Sequence, residues 1–390
     1  MTPGARVQSA IEILDLILAA AREGGAAADT LLARWFAGHR FAGSKDRRAI
    51  REHVYAAIRL CGEVPATGRA AMLAVAATDP TVAAGFDGSP YGPAPIGGDE
   101  VAATPGVAPA WLVDALTASG MDAAAQAALL ERAPLDIRIN RLRGDEPAIE
   151  GAMPIHGLPD ALRLPPDTAV ERLPAFEAGA IEVQDAGSQF VALACAAKPG
   201  ERVVDLCAGA GGKTLALAAA MANDGVILAT DTDRARLQRL SPRAERAGVT
   251  IAETRLLNPG REAEVLEDWR DAADLVLVDA PCSGTGTWRR NPEARWRLTP
   301  DRLARLTATQ ARLLDLAATL VRPGGRLVHV VCSLLDAEGR DQADAFLARH
   351  PGWRVVPLDL PAGAPHGLGI RLDPAHHGTD GFFVAMMTRP

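Results

Sequence analysis

The first third of the chain, residues 1–131, is rich in alanine and carries apolar residues at helical spacing. Between Val7 and Leu18 the apolar positions recur every three or four residues, which is the pattern of one buried helix face. Proline and glycine are dense over 80–110, which predicts a loop, and a final helix is predicted over 110–131. The pattern therefore predicts an all-helical domain.

The pattern changes after residue 131. Residues 132–184 consist of short segments of alternating apolar and polar residues that are separated by proline and glycine. The segment LDIRINRLR, which begins at Leu135, alternates in the manner of a strand at the edge of a sheet. We expect a small α+β subdomain here, between two larger units.

From residue 185 onward, predicted strands alternate with predicted helices. This order is typical of a mainly parallel, doubly wound sheet, in which ligands bind at the carboxyl ends of the strands. The fold class predicted for residues 185–390 is therefore α/β and Rossmann-like. The predicted strands are 202–206, 226–230, 251–256, 274–279, 326–331 and 381–387, and the predicted helices are 213–222, 234–247, 301–321 and 336–349.

Composition narrows the class of protein further. The 390 residues include 41 Lys+Arg and 48 Asp+Glu, a formal net charge of −7, which argues against a protein that coats nucleic acid indiscriminately. Five scattered cysteines without C-x-x-C spacing predict no disulfide framework, no metal site and a cytoplasmic location. Because Glu12 and Asp15 interrupt the apolar run near the start, we expect neither a signal peptide nor a membrane partner.

A glycine-rich loop, CAGAGGKT from Cys207 to Thr214, follows the first predicted strand. A Walker A phosphate loop requires glycine where Cys207 stands, and a nicotinamide-binding G-x-G-x-x-G loop requires glycine where Thr214 stands. A glycine-rich turn without a ligand is a further alternative. The pattern best matches S-adenosylmethionine binding, because Asp205 ends the strand before the loop and Asp231 follows the next strand, where it is placed for ribose hydroxyls. Asp233 is the neighbouring alternative for the ribose.

Two cysteines follow neighbouring predicted strands at the same edge of the sheet. Cys282 lies in DAPCSGTG and Cys332 lies in VVCS. A buried cysteine is often only a small apolar residue, but here both thiols adjoin the predicted methyl donor. Carbon-5 of cytosine is a poor nucleophile, and a thiolate that adds to carbon-6 activates it by covalent catalysis. A carboxylic acid that hydrogen-bonds the base at N3 would take up the negative charge that builds on the ring, and Asp279 is placed for this role.

Together these motifs resemble the Sun-type (Fmu-type) RNA cytosine-5 methyltransferases. The resemblance covers about residues 130–390 and implies a class I S-adenosylmethionine-dependent methyltransferase fold. The matching segments are DLCAGAGGKT, the turn at Asp231, DAPCSGTGTWRRNPEARW, VRPGGRLVHVVCSLLDAEG and HHGTDGFF. Upstream, RINRLR and VQDAGSQ are similar to the family's small RNA-binding subdomain, and AGSKDRRAIREHVYAAIR is similar to the NusB-like RNA-binding domain of some bacterial members.

The resemblance implies a role for each matching residue. Cys332 would attack carbon-6, Cys282 would assist release of the methylated base, and Asp279 would contact the cytosine. The sequence departs from the family pattern at Ala210, where proline is usual, and at Asn258, where an acid is usual near the adenine. The implied cofactor-binding residues are Cys207, Ala208, Gly209, Ala210, Gly211, Gly212, Lys213, Asp231, Asn258 and Asp279.

Arginine and tryptophan are interleaved over 285–312, directly after Cys282 in sequence. Such residues hold phosphates and stack on an extruded base, whereas a solvated helix face with inward-packed tryptophans is the alternative. The residues expected to contact RNA are Arg289, Arg290, Trp296, Arg138 and Arg141.

The sequence therefore predicts a helical domain at 1–131, an α+β RNA-binding subdomain at 132–184 and a methyltransferase domain at 185–390. The predicted activity is S-adenosylmethionine-dependent formation of 5-methylcytosine, in ribosomal rather than transfer RNA because of the helical domain in front. We expect a cytoplasmic monomer that binds RNA and no metal. Two other classes stay open: a nucleotide hydrolase built on the same loop, and an RNA-binding assembly factor without catalytic activity.

Overall fold

Residues 1–144 and 146–390 are described in the computed structural model of the chain. They divide into two units. The first comprises Met1–Glu131 together with Thr287–Pro300, and the second comprises Arg132–Gly286 and Asp301–Pro390. Among the described residues, no helix combines the length and the apolar character that crossing a bilayer requires.

The first unit is helical where the amphipathic pattern predicts it. Its helices are α1 (Pro3–Glu23), α2 (Ala28–Gly38), α3 (Ser44–Leu60), α4 (Gly68–Ala76), α5 (Pro80–Ala83), α6 (Ala110–Ala118) and α7 (Ala123–Ala128). The Thr2 side chain caps α1 by accepting a hydrogen bond from the N–H of Ala5. Ile13, Leu14 and Ile17 on the apolar face of α1 are fully buried in the core of this unit.

The region from 80 to 131 differs in one respect from its prediction. The loop predicted over 80–110 is confirmed apart from the short helix α5. The single helix predicted over 110–131 is wrong, because Gly120 adopts a left-handed conformation with φ +82° after α6. The Asp122 carboxylate then accepts a hydrogen bond of 2.8 Å from the N–H of Ala125 and begins α7.

The segment Thr287–Pro300 belongs to the helical unit although it lies in the second half of the sequence. Glu293 Oε1 accepts a hydrogen bond of 3.0 Å from the N–H of Ala28, at the start of α2. The Arg295 guanidinium donates to the carbonyl of Cys61, just after α3, at 2.9 Å. An anion at a helix start and a cation at a helix end both complement the helix dipole. The segment therefore supplies hydrogen-bond partners to the start of α2 and to the end of α3.

Replacing Arg295 with alanine is expected to destabilise the helical unit. Burial lowers the pKa of Arg295 to about 9, and its guanidinium donates to the carbonyls of Pro292, Ile58 and Cys61. Without it, buried carbonyls lose their donor, so we expect the free energy of unfolding to fall by about 2–3 kcal/mol. Urea unfolding followed by circular dichroism measures the change. Arg34→Ala, at an exposed position of the same unit, is the control; equal midpoints for both variants would contradict the expectation.

The second unit begins with a four-stranded antiparallel sheet in the order β2–β3–β1–β4. Its elements are β1 (Leu135–Ile139), β2 (Met153–Pro154), β3 (Ala161–Leu164), α8 (Pro174–Glu177) and β4 (Ile181–Val183). Ile137 and Ile139 lie in its apolar core. The prediction that β1 is an edge strand is wrong, because β3 and β4 pair with it on both sides. Its polar positions are buried too, and Asp136 forms an ion pair of 2.7 Å with Arg163.

A mixed nine-stranded sheet forms the remainder of this unit. Its strands are β5 (Arg202–Asp205), β6 (Val226–Asp231), β7 (Ala252–Leu256), β8 (Ala273–Asp279), β9 (Val321–Val331), β10 (Arg354–Val356), β11 (Ala364–His366), β12 (Gly369–Leu372) and β13 (Phe382–Thr388). The order is β11–β12–β13–β9–β8–β5–β6–β7, with β10 beside β13. Strands β7, β6, β5, β8 and β9 are parallel, and β13 is antiparallel to β9. The predicted Rossmann-like α/β class is confirmed.

Helices cover both faces of this sheet, which explains its apolar strands. They are α9 (Ala186–Ala194), α10 (Gly212–Ala220), α11 (Arg234–Leu237), α12 (Leu240–Ala247), α13 (Glu262–Val265), α14 (Pro300–Leu320), α15 (Arg340–Arg349) and α16 (Pro374–His377). In β8, Leu275 and Leu277 lie in one buried cluster, whereas Val276 and Val278 lie in another. Alternate residues of a strand point to opposite faces, so both faces of β8 are covered.

Two predicted helices differ from the structure. The helix predicted over 234–247 is interrupted between α11 and α12. The helix predicted from residue 336 begins only at Arg340, because the residues after Cys332 form a loop that buries Glu338.

Candidate active site

The structure brings Cys282 and Cys332 together at the carboxyl edge of the large sheet. Strands β8 and β9 are parallel neighbours that end at Asp279 and Val331, and each is followed by one of the cysteines. The two sulfur atoms lie 3.4 Å apart and both thiols are free and partly buried. Both sulfurs can therefore reach one ring of a substrate.

The Cys282 thiol is held in its protonated form. Its pKa lies well above the ordinary value because of the hydrogen bond with Cys332, because of burial, and because negative charge on Cys332 and Glu338 opposes its ionisation. Burial likewise raises the pKa of Cys207 well above the ordinary value, with Asp279 adding to the effect. At neutral pH, Cys282 can donate its S–H towards the Cys332 sulfur.

Lys213 and Asp279 form an ion pair beside the thiols. Nζ of Lys213, on the first turn of α10, lies 2.7 Å from Oδ2 of Asp279 at the end of β8. Burial favours the neutral amine, but Asp279 and negative charge on Cys332 outweigh it and raise the pKa of Lys213. Lys213 therefore keeps a positive charge close to the nucleophilic edge of the site.

Three N–H groups of the glycine-rich loop between β5 and α10 are hydrogen-bonded within the protein. The N–H groups of Ala208, Gly209 and Gly211 donate to the carbonyl of Thr230, the carboxylate of Asp231 and the carbonyl of Ala208. A phosphate loop needs such N–H groups for its ligand, and these three are already used. This geometry argues against a nucleotide hydrolase.

The same loop leaves room and polar atoms for the expected cofactor. A Cβ added at Gly212 would meet nothing within 4 Å in the described part of the chain. Asp205 is fully buried; Thr214 donates to its Oδ2 at 2.7 Å, and its Oδ1 has no hydrogen-bond partner among the described residues. Asp231 ends β6, and Asn258 is exposed after β7. The turn is filled at Gly209 and Gly211, where a Cβ would meet Arg236 at 2.5 Å and Leu240 at 2.6 Å. Carboxylate acceptors beside the space at Gly212 fit the ammonium group and ribose hydroxyls of S-adenosylmethionine.

The stability of the protein is expected to depend on the protonation of Asp205. Burial raises the pKa of this carboxyl from 3.8 to about 7, with Asp279 adding to the effect and the Thr214 hydroxyl opposing it. The folded state therefore binds an extra proton between these values, and its stability falls as the pH rises through this range. Asp205→Asn cannot ionise, so its melting temperature should exceed that of the wild type at pH 8 but not at pH 4.

Thermal unfolding from pH 4 to 8 measures this difference. Asp359→Asn, at an exposed position, is the control and should follow the wild type at every pH. If the difference between Asp205→Asn and the wild type stayed constant across the range, burial of an ionisable Asp205 would not be its cause.

Three of the five residues expected to contact RNA are buried. Trp296, Arg289 and Arg138 are only 4%, 5% and 6% exposed. Trp296 packs in the core of the helical unit, so its expected role in stacking on a base is corrected to a packing role. Arg138 donates to a side-chain amide within the small sheet. Arg141 is exposed and Arg290 is partly exposed, and both remain candidates for RNA contact.

Sequence reasoning missed the polar residues that surround the cysteines. Ser283 and Ser333 directly follow the two cysteines, Gln310 lies on α14, and Glu338 follows Cys332 by six positions. The repeated Cys-Ser pair was a signal that could have found the serines. Glu338 falls within the helix predicted over 336–349, where an acidic residue indicates a solvated face.

Comparison with known proteins relates this site to a family. Residues 192–388 match the family model described as 16S rRNA methyltransferase RsmB/F. The chain is 38% identical over 272 residues to the probable ribosomal RNA small subunit methyltransferase B of Synechocystis sp., a match that covers 65% of this chain and 60% of that protein. It therefore spans less than two thirds of that relative's length.

Two further matches cover a larger share of the protein with which this chain is compared. The chain is 37% identical over 293 residues to the ribosomal RNA small subunit methyltransferase B of Xylella fastidiosa, which covers 72% of this chain and 68% of that protein. The crystal structure of PH0851 aligns with a TM-score of 0.77 at 26% identity, over 99% of both chains.

Proposed function

Because this chain belongs to the RsmB/F family of 16S rRNA methyltransferases, we propose that it methylates carbon-5 of a cytosine in ribosomal RNA. The family membership confirms the resemblance predicted from the sequence. The observation that carries the cytosine-5 chemistry is the 3.4 Å approach of the Cys282 and Cys332 sulfurs. Two converging thiols suit a reaction in which one sulfur forms a covalent bond to the ring and the other thiol helps to break that bond.

The cofactor in this proposal is S-adenosylmethionine, which supplies an electrophilic methyl group when bound. The loop from Cys207 to Lys213 would hold it, with Asp231 at the ribose and Asn258 near the adenine. The exposed side-chain amide of Asn258 can accept a hydrogen bond through its oxygen, as a carboxylate can.

Cys332 is the nucleophile in the proposed reaction. Its thiolate forms a bond to carbon-6, and the electron pair of the ring double bond moves to carbon-5, which becomes nucleophilic. Lys213 is positively charged, and its pKa is raised in part by negative charge on Cys332. The ammonium group therefore offsets the negative charge of the attacking sulfur. The family resemblance assigns this role to Cys332, and the protonated state of Cys282 supports it.

Asp279 contacts the cytosine while the adduct forms. Negative charge builds on the ring at N3 as the sulfur adds to carbon-6. The ion pair with Lys213 fixes the Asp279 carboxylate, and the ammonium stabilises that charge within a partly buried site.

Cys282 assists release of the product. The electron pair of the bond between carbon-5 and its hydrogen restores the ring double bond as the bond between carbon-6 and the Cys332 sulfur breaks. The carbon-5 proton passes to the Cys282 sulfur, which gives its own proton to the departing sulfur of Cys332. The S–H of Cys282, 3.4 Å away, donates to the sulfur as it departs.

A transfer assay with sequencing tests the proposed function. Purified protein is incubated with small-subunit ribosomal RNA or with transfer RNA, and with S-adenosylmethionine labelled on its methyl group. Bisulfite sequencing then compares RNA from the parent strain with RNA from a deletion strain. We expect 5-methylcytosine in the ribosomal RNA of the parent alone. Label in transfer RNA instead, or RNA binding without any transfer of label, would contradict the proposal.

A further inference from the structure

A buried carboxylate joins the loops that carry the two cysteines. Glu338 has no exposed surface. Its Oε1 accepts a hydrogen bond of 2.8 Å from the N–H of Ser283, and its Oε2 accepts hydrogen bonds from the hydroxyls of Ser283 and Ser333, the latter at 2.6 Å. Because Ser283 and Ser333 directly follow Cys282 and Cys332, one carboxylate holds the residue next to each thiol.

Other elements hold Glu338 itself in place. Gln310 of α14 donates from its Nε2 to Glu338 Oε1 at 3.0 Å and to the carbonyl of Pro281 at 2.9 Å. Burial lowers the pKa of His329 to about 4, so its ring is neutral, and its Nε2 donates to the main-chain carbonyl of Glu338 at 3.0 Å. The carboxylate is thus fixed from a helix and from a strand.

We propose that Glu338 is a positioning residue that sets the separation of the two sulfurs by holding Ser283 and Ser333 on one carboxylate. The proposal rests on the cytosine-5 function proposed above. Four neutral donor groups satisfy the carboxylate, and no cation pairs with it among the described residues. Its negative charge is therefore not cancelled locally, and it contributes to the raised pKa of Cys282.

Glu338 affects the geometry of the two cysteine loops as well as the charge near Cys282. The loops follow the ends of β8 and β9, and neither Ser283 nor Ser333 belongs to a helix or a strand. The loops are also joined directly, because the N–H of Gly286 donates to the carbonyl of Cys332 at 3.0 Å and the N–H of Leu334 donates to Oγ1 of Thr285 at 2.8 Å. If Glu338 loses its charge or its length, Ser283 and Ser333 lose the acceptor they share, and the cysteines beside them can shift even though these other hydrogen bonds remain. A displacement of about 1 Å at reacting groups can reduce a rate on the order of 10²-fold.

The variant Glu338→Gln tests the proposal with nearly unchanged volume. We expect its kcat for RNA methylation to fall on the order of 10²-fold, with KM for RNA and for S-adenosylmethionine unchanged. Glu262→Gln is the matched control, because Glu262 is also a buried carboxylate of this unit but pairs with Arg312, outside the cysteine loops. A loss of kcat equal in both variants would mean a general structural role.

A second measurement needs neither RNA nor cofactor. In a Cys332→Ser background, the rate of iodoacetamide alkylation at Cys282 is followed by mass spectrometry against pH, with and without Glu338→Gln. Loss of the nearby negative charge should shift the alkylation profile to lower pH. An unshifted profile together with a wild-type kcat would overturn the proposal.

The two measurements separate this inference from the function on which it rests. If the wild type transfers no methyl group, the proposed function fails, whereas the alkylation profile still tests the effect of Glu338 on Cys282. If Glu338→Gln does not fold, Ser283→Ala and Ser333→Ala each remove one hydroxyl donor and leave the carboxylate. Each is then expected to lower kcat without changing KM, and wild-type kcat in both would overturn the proposal.

Discussion

Cys332→Ala abolishes methyl transfer and leaves the fold and RNA binding intact: this is the expected result with the largest effect. The Cys332 sulfur is the group that forms the bond to carbon-6, and alanine offers no substitute nucleophile. Removing a nucleophile from a catalytic set costs on the order of 10⁴-fold or more in kcat. Cys282 cannot take its place efficiently, because its thiol resists ionisation.

Transfer of labelled methyl groups to ribosomal RNA measures this effect, and a filter-binding assay measures RNA affinity. Cys195→Ala is the matched control, since Cys195 is another free cysteine of the same unit but is fully buried after α9 and part of the apolar core. Appreciable methyl transfer by Cys332→Ala would show that another group attacks the ring.

Cys282→Ala is expected to trap the enzyme on its RNA. Cys332 can still attack and the ring can still be methylated, but the departing sulfur loses the thiol that lies 3.4 Å away. The adduct should therefore persist, and the enzyme should stop after about one turnover per molecule. A denaturing gel would show a protein band shifted by covalently attached RNA.

The double variant Cys282→Ala/Cys332→Ala controls for non-specific attachment and should show no shifted band. If Cys332→Ala accumulated the covalent complex and Cys282→Ala lost all activity without one, the two roles would be the reverse of those proposed here. A complete absence of complex in Cys282→Ala that still turns over would mean that Cys282 takes no part in release.

Much of the large sheet could be predicted from the local pattern of apolar and polar residues. The strand LVLV in β8 is apolar at every position, which predicts a strand covered on both faces, and both faces are buried. The edge assignment of β1 failed because alternation of apolar and polar residues does not reveal that Asp136 and Arg138 are themselves buried and satisfied by side chains elsewhere in the chain.

The sequence by itself determined that two thiols, a glycine-rich turn and two acids would follow the ends of parallel strands. That result needs only strand order and direction, since the carboxyl ends of parallel strands lie along one edge. Only the tertiary structure decided that Trp296 packs inside the helical unit and that Glu338 holds both cysteine loops. These contacts join residues that are far apart in sequence, such as Ser283 and Glu338 at 55 positions, and they depend on loop conformations that periodicity does not encode.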